Sequence, residues 1–368
     1  MKPESSSFAR LIMLGAEHET RGSIAAVVDA YRTHGLFQRW PIDYLPIHGA
    51  RGAGHNAALA LGAARRFALL LARHRRAIVH MHVSARGNPL RDAAFMAAAL
   101  AARCPLIVQL HGAGLERSHG NAFLGRLLAS AACVLIPCES LRPWVRSVVR
   151  GAHTECLPAP VASAPPSSHE TRPNLILFLG RLEAAKGIFD LLEAVAAVRA
   201  TIPDVRLVCA GDGERIAVAR YAERLGIADA VKFTGWVGPS GKRALLETAA
   251  VFALPSYDEA LPVGLCEAMA AGVPPVVSPV GGITEVVADG VSGLLVAPGD
   301  KASLERNLRR LLTDRALGAR LGIAARETAR LRFAPERTLG RLEEIYAALG
   351  LQSAPDAMAR PADLRQAA

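Results

Sequence analysis

Short apolar runs alternate with longer helix-patterned segments twice along this 368-residue chain, and a stretch rich in proline and serine separates the two series. Short, mostly apolar runs suit strands buried on both faces, as parallel sheets require, because each parallel crossover lays a helix over the sheet. In the first half the runs fall at 11–14, 42–45, 77–81, 106–110 and 133–136, with helical patterns at 24–33, 56–71, 90–102 and 122–131. After residue 173 the series restarts, with strands at 175–179, 205–210, 231–233, 251–254, 275–278 and 294–296 and helices at 188–200, 215–225, 242–249 and 262–271. Residues 302–349 read as helical throughout. The fold class predicted is α/β, with two doubly wound units at 1–160 and 174–350, a linker at 161–173 and a loose tail at 351–368. The length alone also favours two cores over one.

Composition narrows the setting. No apolar segment approaches the ~18 residues of a spanning helix, since the best, 93–102, stops at Arg103. The first ten residues include Pro3-Glu4-Ser5-Ser6-Ser7, which does not fit the apolar region of a signal peptide. A soluble cytoplasmic protein is expected. Six cysteines lie scattered without CxxC spacing, so reduced core thiols are expected rather than a disulfide framework or zinc site. Residues 1–170 carry 19 Lys/Arg against 10 Asp/Glu, whereas the remainder carries 24 against 23, so the net charge of +10 sits almost wholly in the first half. With Arg65, Arg66, Arg73, Arg75 and Arg76 as local clusters, the first unit is suited to an acidic partner, either an anionic membrane surface or a phosphorylated acceptor. No nucleic acid is expected, because few aromatics interleave the basic residues and no recognised motif is present. An arginine-rich proteome would give the same charge without any partner.

The chemistry concentrates at the carboxyl ends of the strands in the second half, the edge where open parallel sheets bind ligands. From Ala260 to Val277 the only carboxylate is Glu267, and a lone charge in such a run asks for a partner, with water or a ligand hydroxyl the obvious candidates. Glu259 sits in the loop before the helix that Pro262 opens, where it is as readily a solvated helix-entry charge. After the first strand, Gly180-Arg181-Leu182 and Lys186-Gly187 place a guanidinium and an ammonium five residues apart beside a helix N-terminus, a pair able to neutralise a diphosphate. Later strand ends carry Gly211-Asp212-Gly213, Gly235-Trp236-Val237 and Gly281-Gly282 with Glu285, so several loops of small residues converge on one edge. In the first half, Gly22-Ser23 precedes an apolar helix and His111-Gly112 ends a buried strand. His80-Met81-His82 sends two histidines to one strand face, but with no third ligand evident no metal is expected. Gly52-Ala53-Gly54-His55-Asn56-Ala57 imitates a dinucleotide fingerprint, yet arginines fill the region ~20 residues on where an acidic residue should hold a ribose, so a nicotinamide enzyme is a poor fit.

Taken together, Gly180-Arg181-Leu182, Lys186-Gly187, Gly211-Asp212-Gly213, the Glu259-x7-Glu267 pair followed by Ala268-Met269-Ala270, and Gly281-Gly282 with Glu285 resemble the family-4 glycosyltransferases of GT-B fold. Gly22-Ser23-Ile24, the stretch from His80 to Arg86-Gly87, and His111-Gly112 resemble the bacterial exopolysaccharide branch. The resemblance implies two Rossmann-like domains facing each other across a cleft, and a retaining transfer of a hexose from a GDP- or UDP-linked sugar without a required metal or other cofactor. It implies that Arg181 and Lys186 hold the diphosphate, Glu267 accepts hydrogen bonds from the ribose, and Glu259 bonds the donor sugar beside the amides of Ala260, Leu261, Pro262 and Val263. His111 would touch the sugar or its phosphate, Gly22 would let backbone approach the diphosphate, and Trp236 and Val237 would flank the base. Gly180, Gly211, Gly213, Gly281, Gly282 and Glu285 complete the implied donor site. The implied acceptor is a lipid-linked saccharide of exopolysaccharide or cell-surface glycan synthesis, met at the inner face of the cell membrane. Ala260-Leu261 replaces the common Gly-Phe after the first glutamate, and Arg21-Gly22-Ser23 replaces a commoner double glycine. Two other readings fit the same residues, a nucleotide-sugar epimerase and a non-catalytic nucleotide-sugar binding module.

Overall fold

The computed structural model describes residues 10–18, 20–74, 76–85, 87–112, 114, 122–149, 151, 153–163 and 172–352. Arg75, Arg86, most of the linker and most of the tail lie outside them. The first lobe is built from strands β1 (Arg10–Ala16), β2 (Ile42–His48), β3 (Ala77–Ser84), β4 (Leu106–His111), β5 (Cys133–Ile136) and β6 (Thr154–Cys156). They form one parallel sheet in the order β2-β1-β3-β4-β5-β6. Around it lie helices α1 (Ser23–Thr33), α2 (Leu36–Arg39), α3 (Ala53–Arg73), α4 (Pro89–Ala101), α5 (Ala122–Ala129) and α6 (Arg142–Val148). The second lobe contains β7 (Leu175–Leu179), β8 (Arg206–Ala210), β9 (Val231–Gly235), β10 (Val251–Leu254), β11 (Pro275–Val277) and β12 (Leu294–Leu295), again all parallel, in the order β9-β8-β7-β10-β11-β12. Its helices are α7 (Ile188–Arg199), α8 (Arg215–Arg224), α9 (Pro239–Thr248), α10 (Val263–Ala271), α11 (Lys301–Thr313) and α12 (Arg315–Phe333). A last helix, α13, spans Pro335–Ala348.

The central strands are buried on both faces, from Leu11 to Leu14 and from Ile176 to Phe178 without exposure, which is why they read as unbroken apolar runs. Several strands run longer than expected, and one is new. β3 continues past Met81 to Ser84 and so carries His82 inside the strand. β6, Thr154-Glu155-Cys156, is a half-buried edge whose polar sequence offers no strand signal. The helical stretch expected at 302–349 breaks twice. Asp314 accepts from the Leu317 N–H and starts α12, and Pro335 opens α13 where the preceding backbone cannot stay helical.

The end of the chain corrects the expected boundary at 350. α12 belongs to the second lobe, with Ala325, Ala329 and Phe333 in its core, but α13 crosses to the first lobe. There Leu339, Leu342, Ile345, Tyr346 and Leu351 pack with Leu11, Met13, Ile24, Tyr31 and Ile78. The physical reason is an uncovered face: α1 alone leaves part of the β1–β3 surface open, and the apolar stripe of α13 covers it. The two strands of backbone that pass between lobes run side by side, since the Val161 N–H donates to the Phe333 carbonyl at 2.8 Å.

Candidate active site

In the second sheet the strand order reverses between β7 and β10, so the loops after these two strands diverge to opposite faces and open a crevice. The first loop carries Gly180 to Gly187 and the second carries Ser256 to Pro262. They are tied across the crevice: Lys186 Nζ lies 2.6 Å from Glu259 Oε1, the Ser256 hydroxyl donates to the same oxygen at 3.0 Å, and the Tyr257 N–H donates to the Ala185 carbonyl at 2.9 Å. Burial raises the Glu259 carboxyl above its ordinary range, and the Lys186 ammonium offsets part of that rise. Arg181 projects half-exposed beside this pair, its Nε 2.5 Å from Glu183 Oε1.

Neighbouring loops pack onto the same edge. Gly211 (φ 153°) lies flat against Gly180, where a Cβ would fall 1.9 Å from the Gly180 carbonyl oxygen, and Leu182 bridges to Gly213. At the end of β9 the Gly235 carbonyl accepts from the Gly211 N–H at 2.9 Å, leaving Trp236 exposed and Val237 half-buried beyond it. Gly281 (φ 54°) turns so close to the β10 loop that a Cβ would sit 1.9 Å from the Glu259 carbonyl oxygen, while the Gly282 N–H donates to Ala260 O at 2.6 Å. Ala260 itself is buried in the core of the first lobe, with Leu261 packed beside it. The loop that bears Glu259 therefore reaches across the cleft.

Two of the expected site carboxylates have partners within the protein. Glu267, at the second turn of α10, pairs with Lys242 of α9 through Nζ. The solitary acid called for a partner, but nothing in the spacing along the chain names a cation on the preceding helix. Glu285 lies beside the first lobe, as does Gly282, where a Cβ would fall 2.4 Å from Cys138 Cβ. Its carboxylate accepts from the Glu139 and Ser140 N–H groups of the first lobe at 2.9 and 2.7 Å, because a 3-10 turn over Gly281–Glu285 aims it across the interface. Glu285→Ala is expected to remove this clasp and cost about 1–2 kcal/mol, two charge-assisted bonds weakened by exposure, read as a lower urea midpoint.

The first lobe turns its strand ends toward these loops. Arg21 reaches Asp212 with an NH1 to Oδ2 distance of 2.7 Å, which sets the loop after β1 against the loop after β8. Gly22 is the N-cap of α1 with extended backbone (φ 167°), and a Cβ there would meet no described neighbour, so the fold does not itself demand glycine. The first N–H groups of α1 lack a side-chain cap. His111 ends β4 almost fully buried, with Nε2 2.9 Å from His82 Nδ1. Burial lowers His111 to about 3, so its ring is neutral near pH 7. No group of three or more metal-ligating side chains comes together among the described residues. The structure thus brings Gly180, Arg181, Lys186, Gly211, Gly213, Glu259, Gly281 and Gly282 to one crevice, pairs Glu267 of the helix after the Glu259 loop with Lys242, and bonds Glu285 to the first lobe. Sequence reasoning did not single out Lys242 or foresee that Arg21 and Asp212 pair.

Residues 163–328 match the family model for glycosyl transferases group 1. The second lobe belongs to that family. Over 158 residues the chain is 36% identical to the glycogen synthase of Mycobacterium tuberculosis, covering 43% of this chain and 38% of the relative. Over 220 residues it is 32% identical to the phosphatidyl-myo-inositol mannosyltransferase of Mycobacterium leprae, covering 59% and 57%. The chain thus spans about two fifths to three fifths of the curated relatives it matches here. Over both lobes the fold is that of solved GT-B structures: the Anabaena protein Alr3699/HepE in complex with UDP and glucose superposes with a TM-score of 0.70 at 18% identity, over 92% of this chain and 100% of that one. The group 1 lobe is the half in which the Lys186–Glu259 crevice lies.

Proposed function

We propose that this chain is a retaining glycosyltransferase that moves a hexose from a nucleotide diphosphate sugar, GDP- or UDP-linked, to a saccharide acceptor. The observation that carries the reading is the Lys186–Glu259 pair at the β7/β10 switch point, with Arg181 beside it. Both cations already hold carboxylates, so an arriving diphosphate exchanges partners with them rather than neutralising bare charge. That exchange frees Glu259 to accept hydroxyls of the donor sugar. As the bond between the anomeric carbon and the β-phosphate oxygen breaks, negative charge grows on the diphosphate, and Arg181 and Lys186 stabilise it most when the closed lobes exclude water. Glu267, backed by Lys242, keeps a carboxylate oriented for ribose hydroxyls, and His111 meets the sugar or phosphate from the first lobe. The Anabaena structure holds UDP and glucose, which supports a nucleotide-sugar donor.

Incubation with a panel of labelled sugar nucleotides, with and without a membrane extract, tests this. Transfer of label to the extract is the expected result. Donor isomerisation without acceptor would instead make the protein an epimerase, and binding without turnover would make it a binding module.

We further propose a lipid-linked saccharide acceptor met at an anionic membrane face, as in exopolysaccharide or cell-surface glycan synthesis. Among the described residues no helix is long and apolar enough to cross a membrane. Helix α3 buries only Ala63 and Phe67, and its outer face combines Arg65, Arg66 and Arg73 with Leu61 and Leu69, 58% and 70% exposed. Basic side chains around exposed leucines suit a negatively charged lipid surface, at about 1 kcal/mol per cation. Neutralising Arg65, Arg66, Arg73 and Arg76 is expected to lower sedimentation with phosphatidylserine vesicles at least tenfold, whereas unchanged sedimentation would exclude this face.

A further inference from the structure

The face of the first sheet beneath the cleft contains a file of buried imidazoles that the proposed reaction does not by itself explain. His80 and His82 lie two apart on β3, so both point to one side of the sheet, and their rings stack at 4.7 Å with planes 17° apart. His82 Nδ1 meets His111 Nε2 at 2.9 Å, while His80 Nδ1 meets the hydroxyl of Tyr346, delivered by α13, at 2.7 Å. All four side chains are at most 5% exposed. Burial holds His80 at about 3 and His82 well below its ordinary value, so neither ring carries a charge at neutral pH.

A neutral imidazole has one proton to place. Among the described residues the Nε2 of His82 is buried and has no hydrogen-bond partner. A buried N–H without an acceptor is costlier and rarer than a bare lone pair, so the His82 proton belongs on Nδ1. It then donates to His111 Nε2, which must be unprotonated to accept. The single proton of His111 is left on Nδ1, an atom that bonds to no described residue.

We infer that His82 is a positioning residue, which holds His111 as its Nδ1–H tautomer and so makes it a neutral hydrogen-bond donor at the cleft for an oxygen of the donor sugar or its diphosphate. The stack with His80, itself anchored to Tyr346, keeps the His82 ring from turning away. The role for His111 rests on the function proposed above; the tautomer does not.

The test begins with the full chain labelled with 15N-histidine. Two-bond nitrogen–proton NMR separates protonated from bare ring nitrogens, and His111→Ala assigns the His111 signals. A protonated Nδ1 and bare Nε2 on His111 are expected, and the opposite pattern overturns the inference whether or not the protein proves to transfer sugar. His82→Leu removes the donor, whereas His82→Asn keeps an N–H near the position of Nδ1. With a sugar nucleotide that is turned over, His82→Leu is expected to lower kcat about tenfold, the worth of one hydrogen bond, with donor KM little changed, and His82→Asn to recover most of it. Wild-type kcat in His82→Leu overturns the positioning role. Should that variant not fold, the wild-type spectrum and His82→Asn decide, since wild-type tautomers with a tenfold loss in a folded His82→Asn would also count against it. If the tautomer is as expected but His111→Ala leaves turnover unchanged, the substrate contact assigned to His111 fails instead.

Discussion

Lys186→Ala is expected to lower turnover about 100-fold or more, and Arg181→Ala by a similar factor, since in the proposed reaction each supplies one donor to charge that develops as the glycosidic bond breaks. The two should differ in what else they change. Lys186 is largely buried against Glu259, whose side chain is 8% exposed, so its loss leaves a desolvated carboxylate without its cation. That variant should also bind the donor less tightly and unfold earlier. Arg181 is about half exposed and, among the described residues, pairs with Glu183, so its removal should spare stability. Initial rates across donor concentrations, with urea midpoints beside them, separate the cases. Near-normal rates in both variants would remove the role assigned to the pair.

Gly281→Ala is expected to be strongly damaging for a single methyl group. Its backbone sits in the left-handed region at φ 54°, and the new Cβ would overlap the Glu259 carbonyl oxygen at 1.9 Å and crowd Ala260 O at 2.8 Å. Neither obstacle is a side chain that can swing aside. Left-handed strain of ~1–2 kcal/mol and a forced backbone shift of similar size suggest a loss of about 3 kcal/mol. Gly290→Ala provides the comparison: φ is 69°, yet nothing described lies within 4 Å of the added carbon, so only the strain of ~1 kcal/mol should appear. Because the Gly281 shift falls on the loop that carries Glu259, donor affinity should fall with stability. Equal urea midpoints for the two variants would show that the contact does not matter.

Much of the architecture was legible because buried parallel strands leave unbroken aliphatic runs, as at 175–179 and 251–254, and because glycines and charges gather where those runs end. What stayed hidden has a common cause. Periodicity reports that a face is buried but not what buries it, so α13 read as part of the second lobe although its Leu339, Leu342 and Tyr346 belong to the first. Thr154-Glu155-Cys156 lacks the apolar signal altogether, because an edge strand needs backbone partners more than core contacts. In the candidate site, Glu259 and Lys186 were both visible as charges at neighbouring strand ends, but Glu267 and Lys242 meet from helices separated by β10, and chain order carries no trace of that approach. Glu285 shows the opposite case. It follows the Gly281-Gly282 pair closely in sequence, yet one tight turn is enough to send its carboxylate to the backbone of Glu139 and Ser140.

The return of α13 has a practical consequence. Half of the molecule cannot be prepared by cutting the gene once: a fragment ending near residue 163 would expose the greasy wall that Leu339, Leu342, Ile345 and Tyr346 normally cover, and would lose the phenol that anchors His80. A separable version of either half needs a transplant, with residues 335–351 grafted onto the end of the amino-terminal piece and removed from the other.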